Sequence, residues 1–143
     1  ARRYALTFSL VLLDVDRLRR YNEQFGNVVG DRVMAELGGL LLKEVRAPDF
    51  VGRYGGDEFA LVLPETDLVG ARASIGRVRE RIDGHAFPDL ARDDRPTLSA
   101  GIVTFPHPAA SQTEDLFALV EAALLRGKAQ TDGRIGTADS VAA

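Results

Sequence analysis

The chain has 143 residues, with 18 Lys plus Arg against 21 Asp plus Glu, two His and no Cys. That length supports one domain, large enough to bury about two thirds of its unfolded surface, and 45% apolar with 27% charged residues is ordinary globular composition rather than disorder. A net charge of −3 gives no electrostatic case for wrapping duplex nucleic acid or an anionic membrane. No apolar run reaches the roughly 18–20 residues of a membrane-spanning helix. With no Cys there are no disulfides, thiolate zinc sites or cysteine nucleophiles, and no charged-then-apolar leader opens the chain, so the expected compartment is the cytoplasm.

Taken in order, Phe8–Asp14 is an apolar run ending in a carboxylate, the pattern of a central strand delivering Asp14 at its C-terminal end. A short helix is predicted from Asp16, then a loop over Gly26–Gly30. A longer helix is predicted over Arg32–Arg46, with Val33, Leu37, Leu40, Leu41 and Val45 on one face and Pro48 as its stop. Two short strands, Phe50–Tyr54 and Phe59–Leu63, flank Gly55-Gly56-Asp57-Glu58, a hairpin signature.

Leu68, Ala71, Ile75, Val78 and Ile82 mark a further amphipathic helix, followed by a loop holding Gly84, Pro88 and Pro96. Thr97–Thr104 reads as a strand broken by Gly101. Ser111-Gln-Thr-Glu114 resembles a capping box leading into a helix with Leu116, Phe117, Val120 and Leu124 inward. From Gly133 the chain is small and polar, with at most one edge strand before a loose tail. The expected class is α/β: an antiparallel-containing central sheet packed by helices. Ala1-Arg-Arg-Tyr4 stands so close to the first strand that it reads as the end of a helix begun upstream, making the chain a piece of something longer.

Asp14-Val-Asp16 at a strand end and Asp57-Glu58 in a hairpin offer hard oxygen ligands without His or Cys, a donor set for magnesium rather than zinc. Two such carboxylate-bearing tips could hold two metals, activating a hydroxyl and neutralising a phosphate leaving group. Gly55 and Gly56 would admit a phosphate to the backbone where a Cβ would clash. Each piece has a plainer reading. Gly-Gly in a hairpin is ordinary turn chemistry, the acidic pair after it solvated surface, and Asp14 a helix N-cap. Spacing alone leads no further than a magnesium–phosphate site.

Arg53-Tyr-Gly55-Gly56-Asp57-Glu58-Phe59 resembles the signature loop of the GGDEF family, the diguanylate cyclases. Leu12 to Asp31, reading LLDVDRLRRYNEQFGNVVGD, is similar to that family's first motif in order and spacing. Thr97-Leu-Ser-Ala-Gly101-Ile resembles its core strand, and Val120 to Lys128 its last helix. The resemblance covers residues 1–136, a domain lacking its N-terminal turn and first helix, with 137–143 as a loose polar tail.

The resemblance implies a palm-like nucleotidyl cyclase sandwich that joins two GTP into cyclic di-GMP and two pyrophosphates. Two protomers would meet face to face, each with one GTP, as the output domain of a protein with an upstream sensor; neither nucleic acid nor membrane contact is implied. Asp14 and Asp57, with the Val15 carbonyl, would hold Mg²⁺, two ions per site, with Mn²⁺ an alternative. Asp57 and Glu58 would be the catalytic carboxylates, Glu58 at the reacting hydroxyl or at the metal. Asn22 and Asp31 would bond guanine, Gly55 and Gly56 lie against phosphates, and Lys128 reach the terminal phosphates. Asp31 also fits an N-cap, Asn22 a helix end, and Lys128 a cation favoured by the helix dipole.

Arg46-Ala-Pro-Asp49 falls where the family carries its RxxD product-inhibition motif, with Arg77 where a further arginine often joins; an Arg for phosphate and an Asp for guanine suit a cyclic dinucleotide. The chain also departs from the family pattern. Asn27 replaces a histidine while keeping a donor for substrate, and Leu18 and Arg19 stand for Phe and Lys. Leu125 and Gly127 replace Tyr and Ala, and Gly133-Arg134-Ile135 lies further from Lys128 than the family spacing, leaving the role of Arg134 open. Two other readings stand beside the cyclase. One is a non-catalytic receptor for cyclic di-GMP or GTP, disfavoured because Asp57 and Glu58 are intact. The other is a cyclase with another product, opposed by Asn22 and Asp31.

Overall fold

The computed structural model describes residues 7–16, 18–46, 49–53, 58–87, 90–91, 96–129 and 135–138. Within them the order is β1 (Phe8–Val15), α1 (Leu18–Phe25), α2 (Asn27–Glu44), β2 (Phe50–Arg53), β3 (Glu58–Pro64), α3 (Leu68–Asp83), β4 (Leu98–Phe105), α4 (Thr113–Ala129) and β5 (Ile135–Ala138). The strands form one sheet in the order β2-β3-β1-β4-β5. β1 lies antiparallel to both β3 and β4, β2 antiparallel to β3, and β5 parallel to β4. The buried run Ser9–Val15 follows from that central position, since a strand covered on both faces has no solvent side.

Alternation along β1 sorts its side chains between two cores. Val11, Leu13 and Val15 join Leu61, Leu63, Ile102 and the inward stripes of α2 and α3. Those stripes, Val33–Leu37–Leu40–Leu41 and Ala71–Ile75–Val78–Ile82, recur at helical spacing as the sequence predicts. Leu10 and Leu12 face the other way, against Val103, Leu116, Val120, Ala123 and Leu124.

On this second face α4 rides directly on backbone. Gly101 and Gly136 are register partners across β4 and β5. A Cβ at Gly101 would stand 2.5 Å from the Val120 carbonyl oxygen and 2.8 Å from Leu124 Cα. One at Gly136 would collide with the Ala123 carbonyl and lie 2.7 Å from the Gly127 nitrogen. The break at Gly101 expected from the sequence is therefore corrected: β4 runs unbroken through it, and the glycine is the seat of the helix. Gly127, which stands where the family carries Ala, is buried in the same contact.

Three local expectations are corrected. The Gly26–Gly30 loop is a single residue: Gly26, at φ 92°, a value ordinary side chains avoid, turns the chain, and α2 starts at Asn27. Asp31 consequently lies inside α2 rather than capping it. At α4 the first-turn carboxylate that reaches back to cap the helix is Asp115 rather than Glu114: it accepts the Gln112 and Ser111 backbone N–H groups at 3.0 and 2.9 Å, and these bonds, Ser111's first, hold its pKa below the ordinary carboxylate value.

Because the two sheet glycines meet helix backbone, which cannot rotate aside, Gly101→Ala and Gly136→Ala should each cost about 1–3 kcal/mol in urea unfolding. Gly39, helical with nothing within 4 Å of its Cβ position, is the control: Gly39→Ala should gain up to about 1 kcal/mol. Equal effects at all three positions would contradict the close approach of α4.

Candidate functional site

The two antiparallel registers of β1 put Glu58, Asp14 and Ser99 in one row across β3, β1 and β4. The preceding same-face row is Ala60, Leu12, Gly101 and Gly136, so the face turns from apolar to acidic at its end. Asp14, 3% exposed, therefore stands directly opposite Glu58, which is half-buried. Like charges at directly opposed positions repel, and burial of Asp14 sharpens the need for a cation. The last turn of α4 supplies one: the Lys128 ammonium is paired with Asp14 Oδ2. Asp14, Glu58 and Lys128, far apart in sequence, thus meet at one end of the sheet.

Asp16 is also buried, but its carboxylate is committed to β4. Thr97 and Ser99 hydroxyls donate to Oδ2 and Oδ1, each at 2.7 Å, and its N–H donates to the Thr97 carbonyl at 2.9 Å. These bonds clamp the exit of β1 to β4, directly after Asp14 and Val15. Sequence reasoning missed this division of labour, because the hydroxyl partners lie more than eighty positions downstream. Asp57, Gly55, Gly56 and Arg134 lie outside the described residues. Among the described residues no three carboxylate or imidazole side chains converge on a point. The two opposed carboxylates at a strand end are nevertheless hard oxygen donors of the kind Mg²⁺ prefers, and they fit a divalent cation.

At a second corner, where α1 runs into α2, the Asn22 side chain reaches Gly30, the residue before Asp31. The Gly26 N–H donates to the Asn22 carbonyl at 2.9 Å, closing the turn. The Asn22 side chain lies on Gly30, where a Cβ would fall 2.9 Å from its Cγ and closer still to Oδ1. That Oδ1 is buried without a hydrogen-bond partner among the described residues, an acceptor held dry beside the exposed Asp31 and one turn from the exposed Asn27.

Arg46 and Asp49 are bonded to each other. The Arg46 N–H and guanidinium donate to Asp49 at 2.8 and 3.1 Å, and Nη2 also donates to the Pro64 carbonyl and Thr66 hydroxyl, each at 2.9 Å. Arg46 faces a cleft of about 530 Å³ whose other wall is α3, with Gly70, Ser74 and Arg77. Arg77 donates through Nε to Glu44 Oε2 at 3.2 Å and through Nη2 to Ser74 at 3.2 Å. Arg81 donates to the other Glu44 oxygen at 2.9 Å. The Arg81 bond is the main reason Glu44 has a pKa below the ordinary carboxylate value; partial burial opposes it and Arg77 adds to it. A larger cleft, about 600 Å³, lies between α2 and the segment carrying His85 and Phe87, walled by a His85–Glu36 contact, and contains none of the candidate residues.

Residues 1–134 match the family model described as diguanylate cyclase, GGDEF domain. The chain is 37% identical over 119 residues to diguanylate cyclase DgcP of Pseudomonas aeruginosa, covering 83% of this chain but 17% of that protein. Among solved structures it resembles the active GGEEF domain of a diguanylate cyclase from Vibrio cholerae, at 29% identity and TM-score 0.76, covering 85% of this chain and 76% of that one. It also shares its fold with the GGDEF domain of DgcB from Caulobacter crescentus, at 23% identity and TM-score 0.81, covering 93% and 78%. No helix among the described residues is long and apolar enough to cross a membrane.

The Asn22–Gly30 contact is directly testable. Gly30→Ala should leave stability within about 1 kcal/mol, since the gain in helix propensity offsets the displacement of one side chain. The Asn22 side-chain amide resonances should move in the same variant. Unchanged resonances would contradict the close approach.

Proposed function

The chain belongs to the GGDEF, diguanylate cyclase family, and from that premise we propose that it condenses two GTP into cyclic di-GMP. The observation that carries the proposal is the Glu58–Asp14 pair, opposed across two strands with Lys128 reaching it from α4. Phosphoryl transfer asks a protein chiefly for positioning and charge stabilisation, and this end of the sheet concentrates both.

In this reading each GTP presents its 3′-hydroxyl to the α-phosphorus of the GTP on a second protomer. A new P–O bond forms, the bond to pyrophosphate breaks and the hydroxyl proton departs; two such steps release two pyrophosphates. Asp14, the Val15 carbonyl and Asp57 hold Mg²⁺, whose contribution is to neutralise charge on the phosphates. Glu58, with Asp57, is the catalytic carboxylate at the reacting hydroxyl. Lys128 leaves Asp14 for the terminal phosphates, where its ammonium acts as a point charge. Gly55 and Gly56 give the phosphates access to the backbone. Asn22, once its amide turns out from Gly30, and Asp31 bond the base edge of guanine, with Asn27 nearby.

Arg46, Asp49 and Arg77 make a second, inhibitory site for the product. The support is the cleft that Arg46 and Arg77 share, with Asp49 behind it, buried and paired to Arg46; two arginines on one cleft suit a ligand with two phosphates. A GTP-consuming domain of this kind belongs in the cytoplasm, where its substrate is. We further propose a homodimer for catalysis and a sensor domain upstream in the parent protein, consistent with a chain spanning 17% of DgcP.

The test is GTP turnover with Mg²⁺ over a range of protein concentrations, products resolved by chromatography. Cyclic di-GMP rising more steeply than linearly with protein is expected, and Glu58→Gln should lower it by at least about a hundredfold while nucleotide still binds. Nucleotide binding without turnover under every condition would turn the reading to a receptor. Full activity of Glu58→Gln would remove Glu58 from the mechanism.

A further inference from the structure

Resting on the product-clamp reading above, we infer that Glu44 is an internal substitute for the product's phosphate, holding Arg77 until product displaces it, and that Arg81 sets how easily Arg77 is released. Arg77 faces the same cleft as Arg46, yet its Nε–H is already given to Glu44 and an Nη2 N–H to Ser74. Those two groups form one side of the guanidinium fork, an edge that grips a phosphate through two parallel bonds. A phosphate approaching along that edge must take the place of the Glu44 carboxylate. Glu44 therefore competes with the ligand although it is not part of the cleft wall.

Arg81 makes this competition reversible. Glu44 divides its two oxygens, Oε2 to Arg77 and Oε1 to Arg81. When Arg77 turns to a ligand, the carboxylate keeps Arg81 and is not left unpaired. The side chain of Glu44 is only 15% exposed, so an abandoned carboxylate would be costly, and the second arginine removes most of that cost. The pairs join the C-terminal turn of α2 to α3, placing the exchange within one side chain's reach of the cleft. Both arginines are about half exposed, leaving Arg77 room to swing without unpacking the core.

Opposite effects follow for two residues outside the cleft. Glu44→Gln removes the competing charge while keeping the shape, so cyclic di-GMP should bind more tightly, by about two- to fivefold, the range set by a partly exposed ion pair. Arg81→Ala forces Glu44 to rely on Arg77 alone, so binding should weaken by a similar factor. With Glu44→Gln already present, adding Arg81→Ala should have little further effect, because the competitor is gone.

The experiment is calorimetric titration of the full chain with cyclic di-GMP, for the parent, Arg46→Ala, Glu44→Gln, Arg81→Ala and the Glu44→Gln/Arg81→Ala pair, with thermal unfolding confirming that each folds. Tighter binding by Glu44→Gln, weaker binding by Arg81→Ala and loss of the Arg81 effect in the double variant is the expected result. Arg46-dependent binding that Glu44→Gln leaves unchanged or weakens overturns the competitor role alone. No binding by the parent, or binding indifferent to Arg46→Ala, overturns the clamp reading and this inference with it.

Discussion

The contact on which the site depends is the seating of α4 on two glycines. Gly101 and Gly136 lie side by side across β4 and β5 and bring helix backbone to distances that any side chain would forbid. The depth and register of α4 are thereby fixed by main chain, the least deformable part of either element. Lys128, at the end of that helix, meets Asp14 because the seat fixes the helix axis. Packing through rotatable side chains would leave the lysine's position to their rotamers.

The same sheet explains why a cation is required there. An antiparallel register that buries Leu10 and Leu12 must, two residues on, bury Asp14 on the same face and set Glu58 opposite it. The acidic row is therefore inseparable from the hydrophobic register: a one-residue slip would send the apolar set to the wrong face and disperse the carboxylates together. Asp16 performs the supporting task, with the hydroxyls of Thr97 and Ser99 holding the strand exit still. Two nearby aspartates thus serve different ends, Asp14 paired with Lys128 and Asp16 held by the hydroxyls of Thr97 and Ser99.

Much of this was legible in the sequence, since strands and helices whose buried faces carry Val, Leu and Ile at regular spacing declare themselves. The stripes of α2 and α3 and the apolar run of β1 were readable for that reason. What escaped was long-range. Gly101 reads as a strand breaker until the helix above it is known, and Asp16 reads as a metal ligand until its hydroxyl partners are placed. Gly26 reads as the first residue of a loop because a single residue at positive φ suffices to separate two helices only when their packing permits it. Glu44, which pairs with Arg77 and Arg81, carries no motif at all; its meaning comes from α2 ending beside α3. The GGDEF resemblance supplies the expected roles, and the fold supplies the reasons for the spacing.

In the function proposed above, Lys128 is the resident cation of the acidic row and gives way to metal and nucleotide. The most direct test is calorimetric titration of the parent and Lys128→Met, first with Mg²⁺ alone and then with a non-hydrolysable GTP analogue in the presence of Mg²⁺. Lys128→Met should bind Mg²⁺ more tightly, because the competitor at Asp14 is gone. The same variant should bind the nucleotide about tenfold more weakly, a loss of about 1.4 kcal/mol, because a phosphate contact is gone. Affinities for metal and nucleotide that are both unchanged would contradict this role for Lys128.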